Sequence, residues 1–299
     1  MKKILTQLLL LAGLLAAANT ARGGETADTI TSGSFRLPAT LSLPEGATAG
    51  VVLVHGSGPS DRDETVMACH PFRDIAEALA AQGIAVLRYD KRTYVYRDKS
   101  VEPGKELTID DEVTDDAIAA VRHLKAVLKG KPVYVAGHSL GAMMAPRIAQ
   151  QCPEVDGLIL LGAPARDLLT LAGEQVRYLM GGAASDAAVS QVVEQMRASA
   201  PESYWKSLEG YDPVKTAQQL SLPILQIQGG RDYQVPMGDY YMWSVGMMGK
   251  KNFKQLLYPT LNHLMIAGEG PSTPQEYGVA GTVSRDVTEA MGNFVKMKY

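Results

Sequence analysis

The stretch that decides the fold runs from residue 132 to residue 150 and reads PVYVAGHSLGAMMAPRIAQ. Its first five residues, Pro132 to Ala136, form the apolar run that is typical of a strand buried on both faces. A helix is predicted from about Ala142 to Gln150. Between them lies Gly137-His138-Ser139-Leu140-Gly141, with the spacing G-x-S-x-G. This spacing indicates a sharp strand-to-helix turn with an exposed nucleophile, because glycines let the two elements approach closely. The sequence therefore predicts that Ser139 is a nucleophile.

The rest of the chain alternates short apolar strands with amphipathic helices. Strands are predicted at 34–43, 50–54, 84–89, 158–161, 224–227 and 253–258, and further helices at 71–81, 108–128 and 284–295. This alternation predicts an α/β fold, with a mostly parallel sheet and helices on both faces. Between Pro164 and Leu222 the pattern is helical, and the segment is too long for a bare loop. We therefore expect one domain over residues 29–299, with an inserted helical cap at about 164–222.

A serine nucleophile needs a general base, and the chain contains five histidines. On a strand–turn–helix of this kind the nucleophile comes first in the chain, the acid second and the histidine last. His263 is the only histidine that follows Ser139, so chain order selects it. The acid should follow a strand between them, as Asp232 does, and hold the imidazole in one tautomer. Asp212 and Asp167 are alternatives, although both fall within or beside the expected cap.

Negative charge that develops on the substrate oxygen requires two backbone N–H donors. One is expected from Leu140, directly after the nucleophile. The other is expected from the early loop His55-Gly56-Ser57-Gly58-Pro59, where we favour Ser57; an ordinary glycine turn is the alternative. The charged tripeptide Asp61-Arg62-Asp63 follows this loop. We expect it to form a structural salt-bridge cluster that orders the loop, rather than to contact substrate.

Composition limits the partners that the protein can have. The chain has 299 residues, 46% of them hydrophobic, and a formal net charge of −3. It is long enough for one large core and lacks the basic excess of a nucleic-acid-binding protein. Cys69 and Cys152 lie outside metal-ligand and redox spacings, so we expect two buried thiols, with a disulfide as the alternative. No metal and no organic cofactor is expected.

The N-terminal residues have the pattern of a signal peptide. Lys2 and Lys3 precede an apolar run from Leu8 to Ala18, and small residues follow at which cleavage would occur. The run is shorter than the roughly 20 residues that a spanning helix needs. We therefore expect residues 1–21 to be removed, with no stable membrane insertion afterwards and a periplasmic or extracellular location. A retained membrane anchor is the alternative.

Six blocks along the chain, taken in order, resemble one family. They are Val54–Asp63 (VHGSGPSDRD), Tyr89–Arg92 (YDKR), Gly137–Gly141 (GHSLG), Gly162–Arg166 (GAPAR), Gly230–Pro236 (GRDYQVP) and Asn262-His263. These blocks resemble bacterial α/β-hydrolase carboxylesterases that carry an H-G-S-G-P-x-D-R-D motif. The resemblance extends from about Gly33 to the C-terminus. It implies the α/β-hydrolase fold, esterase activity on short acyl esters, and a triad of Ser139, Asp232 and His263.

One block departs from that family. After Asp90-Lys91-Arg92 the family usually has a glycine-rich turn and a serine, whereas this chain has Thr93-Tyr94-Val95-Tyr96. Bulky residues near the substrate entrance leave the acyl or alcohol preference open. We expect a secreted serine hydrolase that cleaves small short-chain carboxylic esters through an acyl-enzyme intermediate. The alternatives are an exported serine peptidase, a deacetylase with the same triad, an interfacial lipase, and an inert binding protein on a hydrolase scaffold.

Overall fold

Residues 24–181 and 183–297 are described by a computed structural model of the chain. The predicted signal peptide, residues 1–21, lies outside these residues. Within them, the strands are β1 (Glu25–Ser32), β2 (Phe35–Ser42), β3 (Gly50–Val54), β4 (Ala85–Tyr89), β5 (Val133–His138), β6 (Gly157–Leu161), β7 (Ile224–Gly229) and β8 (Phe253–Tyr258). They form one sheet in the order β1-β2-β4-β3-β5-β6-β7-β8.

The helices are α1 (Pro71–Ala81), α2 (Arg92–Tyr96), α3 (Asp115–Val127), α4 (Leu140–Gln151), α5 (Leu168–Leu179), α6 (Asp186–Ala198), α7 (Glu202–Leu208), α8 (Pro213–Gln218), α9 (Met237–Gly246) and α10 (Arg285–Val295). Short 3₁₀ turns occur at Arg97–Lys99 and Pro274–Gly278, and a π-helical turn occurs at Asp110–Thr114. None of the helices in the described ranges is both long enough and apolar enough to cross a membrane.

The sheet is parallel except at one edge. β1 pairs with β2, and β2 with β4, in antiparallel register, whereas all pairs from β4 to β8 are parallel. Every residue of β3 is buried, and its side chains alternate between two cores. The core with Val52 and Val54 includes α3 and α4, whereas the core with Val51 and Leu53 includes α1 and α10. Helices therefore cover both faces, and the predicted fold class is confirmed.

Several local predictions need correction. Strand β1 was not predicted, and its outer edge has no strand partner in the described chain. The single helix predicted over 108–128 is a π-helical turn followed by α3, and the Thr108 hydroxyl bonds the Asp111 carboxylate. Helix α9 was not predicted, because its mixed aromatic and glycine sequence lacks a clear apolar stripe.

Four helices, α5 to α8, separate β6 from β7 along the chain, in the region where a helical cap was predicted. The Asp167 side chain begins α5 by accepting the N–H of Thr170, which satisfies one free donor of the first turn. Just before it, Arg166 pairs with the fully buried Asp239 of α9 at 2.7 Å. This ion pair fixes the start of α5 to α9, the helix that follows the Asp232 loop.

The two cysteines are free and buried, as expected, and form no disulfide. The Cys69 thiol lies near the backbone oxygens of Tyr277 and Val279. Cys152 follows α4 and its thiol contacts Glu154. The two thiols belong to different apolar clusters of the core.

Candidate active site

Ser139 lies on the turn between β5 and α4 with φ 53° and ψ −119°, a backbone region that L-residues rarely occupy. The two flanking glycines are required sterically. A Cβ on Gly137 would lie 2.2 Å from the Gly141 oxygen, and a Cβ on Gly141 would lie 2.1 Å from the Val54 oxygen. The strain at Ser139 is held by its N–H, which donates to the Leu161 oxygen at 2.9 Å. The pentapeptide thus forms the turn that its spacing predicts.

Asp232 and His263 come together at the carboxyl ends of the strands. The Asp232 Oδ2 atom lies 2.7 Å from His263 Nδ1, and both side chains are almost completely buried. The other oxygen, Asp232 Oδ1, accepts the N–H groups of Gln234 and Val235 at 2.9 Å each. These bonds fix the carboxylate, and the carboxylate fixes the ring. Because Nδ1 faces Asp232, Nε2 is the ring nitrogen that does not face this carboxylate.

Ser57, Ser139 and His263 line one cleft, with a volume of about 290 Å³. Residues from α5 and α6, including Leu168, also line this cleft. Asp232 lies behind His263 and is not part of the lining. Within the described structure, the Ser139 hydroxyl and the imidazole share the cleft without a direct hydrogen bond. Such bonds often tighten only when substrate binds.

The two predicted oxyanion donors have free N–H groups. Neither the Ser57 nor the Leu140 N–H donates to an acceptor among the described residues. Leu140 is the first residue of α4, where backbone donors have no partner within the helix. The Ser57 side of the cleft is close to Ser139, since a Cβ on the neighbouring Gly56 would lie 3.2 Å from the Ser139 Cβ. This arrangement can stabilise an anion that forms beside Ser139.

The charged tripeptide after this loop faces the sheet. Arg62 pairs with Asp90 at 2.8 Å and also donates to the Ala39 oxygen. Asp63 pairs with Arg88 of β4 at 2.8 Å. All three side chains of the tripeptide are described, and all lie outside the cleft lining. These contacts favour the predicted role in ordering the loop over a role in substrate contact.

Sequence reasoning missed Glu64 and the role of His138. Glu64 Oε1 accepts the Gly56 N–H at 2.7 Å, and its Oε2 lies 3.0 Å from His138 Nδ1. His138 Nε2 lies 2.9 Å from the backbone oxygen of His263, so this nitrogen donates. The two imidazole rings are 4.5 Å apart. A second carboxylate–histidine pair therefore supports the backbone of the first.

In the buried Glu64–His138 pair, each side chain shifts the pKa of the other toward its charged form. Burial alone would lower the pKa of His138, but the neighbouring Glu64 carboxylate raises it above the ordinary histidine value. Burial likewise opposes ionisation of Glu64, but His138 lowers the pKa of that carboxyl. Both shifts favour a carboxylate beside an imidazolium. A sequence does not reveal such a pair, because Glu64 belongs to a polar loop and has no distinctive spacing.

The three remaining histidines have other surroundings. His55 packs between two aromatic rings, and burial lowers its pKa to about 4, which keeps it neutral. His70 faces the Thr65 hydroxyl at 3.0 Å, and His123 faces the Asp28 carboxylate at 2.7 Å. None of the three lines the cleft that contains Ser139. In residues 24–181 and 183–297, no group of three or more His, Cys, Asp or Glu side chains could hold a metal ion.

The mostly parallel sheet, the strained serine turn and the adjacent histidine–carboxylate pair define an α/β-hydrolase. Residues 46–211, more than half of the chain, match the family model described as serine aminopeptidase, S33. The chain belongs to that family of hydrolases.

One curated relative is Esterase EstD of Thermotoga maritima, which is 40% identical over 273 residues. The match covers 87% of this chain and 65% of the relative, so the chain spans just under two thirds of the relative's length.

Solved structures with the same fold include an esterase of Pyrococcus furiosus, with a TM-score of 0.61, 19% identity, and coverage of 91% of this chain and 90% of that one. A dienelactone hydrolase of Anabaena variabilis has a TM-score of 0.57 and 19% identity, and the match covers 92% of this chain and 97% of that one. At these identities the likeness concerns the fold alone.

Proposed function

We propose that the protein is a serine esterase that hydrolyses short-chain carboxylic esters through an acyl-enzyme on Ser139. The observation that carries this proposal is the 2.7 Å contact between His263 Nδ1 and Asp232 Oδ2, in a cleft shared with a serine on a strained turn. Ser139 Oγ attacks the ester carbonyl while His263 Nε2 takes its proton and then gives it to the leaving alcohol. Water, activated by the same imidazole, then releases the acid and restores Ser139.

The N–H groups of Ser57 and Leu140 would bind the oxyanion in both steps. Removal of one such donor typically costs about 10²–10³-fold in kcat. Neither group has a protein acceptor among the described residues, which supports this role. Asp232 stabilises the imidazolium that forms and holds the correct tautomer.

A small ester is the substrate that the cleft favours. Its volume of about 290 Å³ is at the lower end of ligand pockets, which span about 300–1,000 Å³. A larger cavity of about 900 Å³ adjoins the cleft and shares four lining residues with it, namely Ser57, Pro59, Leu168 and Met196. Tyr94 and Val95 of the departing sequence block line this cavity, together with Trp205 of α7. We propose that these residues set the preference for the larger part of the ester.

The family description favours a second candidate, an exported serine peptidase. Ester hydrolysis is preferred because the relative at 40% identity is named an esterase. To separate the two, hydrolysis of p-nitrophenyl acetate and butyrate should be compared with hydrolysis of aminoacyl p-nitroanilides. An esterase turns over the esters and leaves the amides nearly untouched; the reverse preference would refute the proposal.

The nucleophile is tested by Ser139→Ala and His263→Ala, with Ser244→Ala on α9 as a matched control away from the cleft. Both site variants should lose nearly all ester hydrolysis to a similar extent, because triad members act as a unit. The control should retain it. Ser139 should also be the residue labelled by a fluorophosphonate, whereas an inert binding protein would not react. Substantial turnover by folded Ser139→Ala would show that another group attacks the ester.

We also propose that residues 1–21 direct export and that the mature protein acts in the periplasm or outside the cell. Residues 29–299 are proposed to form one domain with a cap at about 164–222. Neither nucleic acid nor metal is proposed as a partner. N-terminal sequencing of the protein recovered from the periplasmic fraction tests the export step. An intact Met1 in a cytoplasmic fraction would contradict it.

A further inference from the structure

Two buried charged side chains hold the backbone of Gly56 from opposite sides. Glu64 Oε1 accepts its N–H at 2.7 Å, and the Lys91 ammonium donates to its carbonyl oxygen at 2.9 Å. Lys91 is 2% exposed and Glu64 is 5% exposed. We call this pair of contacts the Gly56 clamp. Neither side chain has a part in the proton transfers proposed above.

The clamp controls the direction of one oxyanion donor. The Gly56 carbonyl and the Ser57 N–H belong to the same planar peptide group, and in a trans peptide they point in opposite directions. The described chain contains no cis peptide bond. When Lys91 holds the carbonyl, the direction of the Ser57 N–H is fixed as well. Because Gly56 lies against Ser139, rotation of this peptide would turn the donor away from the reacting oxygen.

Lys91 is itself held in place from the cap side of the molecule. Its ammonium lies 3.0 Å from Glu112 Oε1, and Glu112 Oε2 accepts the hydroxyl of Tyr204 in α7 at 2.8 Å. Burial would raise the pKa of Glu112, but Lys91 and the Tyr204 hydroxyl lower it below the usual value. Buried ion pairs contribute little net stability compared with apolar residues of the same size. Stability alone therefore does not account for a charged pair at this position.

Glu64 is also connected, through His138, to the backbone of His263. Its second oxygen contacts His138, whose other nitrogen donates to the His263 backbone. Glu64 adopts a positive φ of 51°, and such strain persists only where surrounding contacts enforce it. One carboxylate thus links the oxyanion loop with the segment that carries the general base.

We propose that Lys91 and Glu64 are positioning residues for the ester hydrolysis: the Gly56 clamp aims the Ser57 N–H at the oxyanion. The proposal rests on the proposed function of Ser139. It requires that loss of the Lys91 contact lowers kcat and leaves KM nearly unchanged, because the donor acts on charge that is present only in the transition state.

The test uses a double variant, Lys91→Met with Glu112→Gln, so that no lone charge stays buried. Its kcat for p-nitrophenyl butyrate should fall by about 10²–10³-fold, the range for a lost oxyanion donor, with KM changed less than about threefold. Glu112→Gln alone keeps the Lys91 donor and should retain kcat within about threefold. The matched control is Arg92→Met with Asp116→Asn. This neighbouring buried pair contacts Ser32 and not Gly56, and its loss should lower the Tm but not kcat.

A second variant covers the case in which the double variant does not fold. Lys91→Gln ends one bond short of the ammonium position, so its amide no longer reaches the Gly56 oxygen, although it can still face Glu112. It should show the same loss of kcat, with a lower Tm than the wild type, because Glu112 keeps its charge without the Lys91 ammonium. Unchanged kcat in folded Lys91→Gln, or an equal loss in the Arg92 control, would overturn the proposal.

A fluorophosphonate separates this proposal from the proposed function. The probe phosphonylates Ser139 with loss of fluoride and needs the oxyanion donors but no ester. If the wild-type protein reacts with the probe but hydrolyses no ester, the proposed function is wrong. The Gly56 clamp is then tested by the labelling rates of the Lys91 variants, which should fall by the factor expected for kcat. If the wild-type protein does not react with the probe either, both proposals are wrong.

Discussion

Replacement of Gly162 by alanine tests how tightly the site holds the histidine–carboxylate pair. Gly162 follows β6 with φ +55°, and a Cβ there would lie 3.1 Å from His263 Nδ1 and 3.2 Å from Asp232 Oδ2. Both separations are shorter than ordinary contacts, so the imidazole or the carboxylate must move by a few tenths of an ångström. The positive φ adds a backbone cost of about 1–2 kcal/mol for an L-residue.

We expect Gly162→Ala to fold, with a free energy of unfolding lower by about 1–2 kcal/mol from the backbone. Its kcat for p-nitrophenyl butyrate should fall about tenfold, since misplacement by about 1 Å costs about 10²-fold. Stability is measured by urea unfolding and kcat by initial rates at saturating ester. KM should change little, because the alanine methyl group faces the pair rather than the substrate.

The control is Gly33→Ala in the turn between β1 and β2. Gly33 has nearly the same φ, +58°, but a Cβ there would meet nothing within 4 Å. It should lose the same stability and keep its full kcat. If both variants lose activity equally, or if Gly162→Ala keeps wild-type kcat, the argument that His263 and Asp232 tolerate no displacement is refuted.

The pKa of His138 in the folded protein lies above the ordinary histidine value. Its charged form therefore stabilises the fold fully below about pH 6.5, and this stabilisation is lost as the pH rises through the folded-state pKa. The difference in unfolding free energy between the wild type and His138→Asn should accordingly shrink between pH 6 and pH 9. Cys69 and Cys152 are both buried, and burial together with the neighbouring Glu154 raises the pKa of Cys152 to about 11. Neither thiol should react with a thiol reagent at pH 8 until urea unfolds the chain. Rapid reaction of Cys152 in the native protein would contradict this. Trp205→Ala enlarges the cavity beside the cleft and should raise the ratio of kcat/KM for octanoate to that for acetate by about tenfold or more; an unchanged ratio would place the acyl chain elsewhere.

The central strands were predictable because burial on both faces leaves a signal in the sequence. The limits of β3 and α1 agree with their predictions to the residue, and α10 differs by one residue at its start. β1 was missed because an edge strand with one exposed face needs few apolar residues. Helix α9 was missed because its periodicity is poor. Propensity and pattern detect buried elements better than exposed ones.

The pair of Asp232 and His263 was predictable for a different reason. Chain order left one histidine, and the end of a strand favoured one carboxylate. Glu64, Lys91 and Gly162 were not assigned to the site, because each acts through a contact between segments far apart in sequence. A buried glutamate and a surface glutamate look alike in a sequence. Whether Glu64 is buried or exposed depends on how closely the 56–64 loop packs against the neighbouring segments in the folded protein, and the sequence does not state this.

The position of helices α5 to α8 has a consequence for exchange between related proteins. β6 and β7 are hydrogen-bonded neighbours, from Leu158↔Ile224 to Leu161↔Ile227, so the chain leaves the sheet and returns to it at adjacent strands. The length and shape of the segment between them are therefore free to vary without changing the register of the sheet. A different set of helices could be grafted there while Ser139, Asp232 and His263 stay in place. A graft that omits the hydroxyl of Tyr204, however, would leave Glu112 without one of its hydrogen-bond partners. Grafts should therefore succeed best where the new segment supplies another hydroxyl that can donate to Glu112.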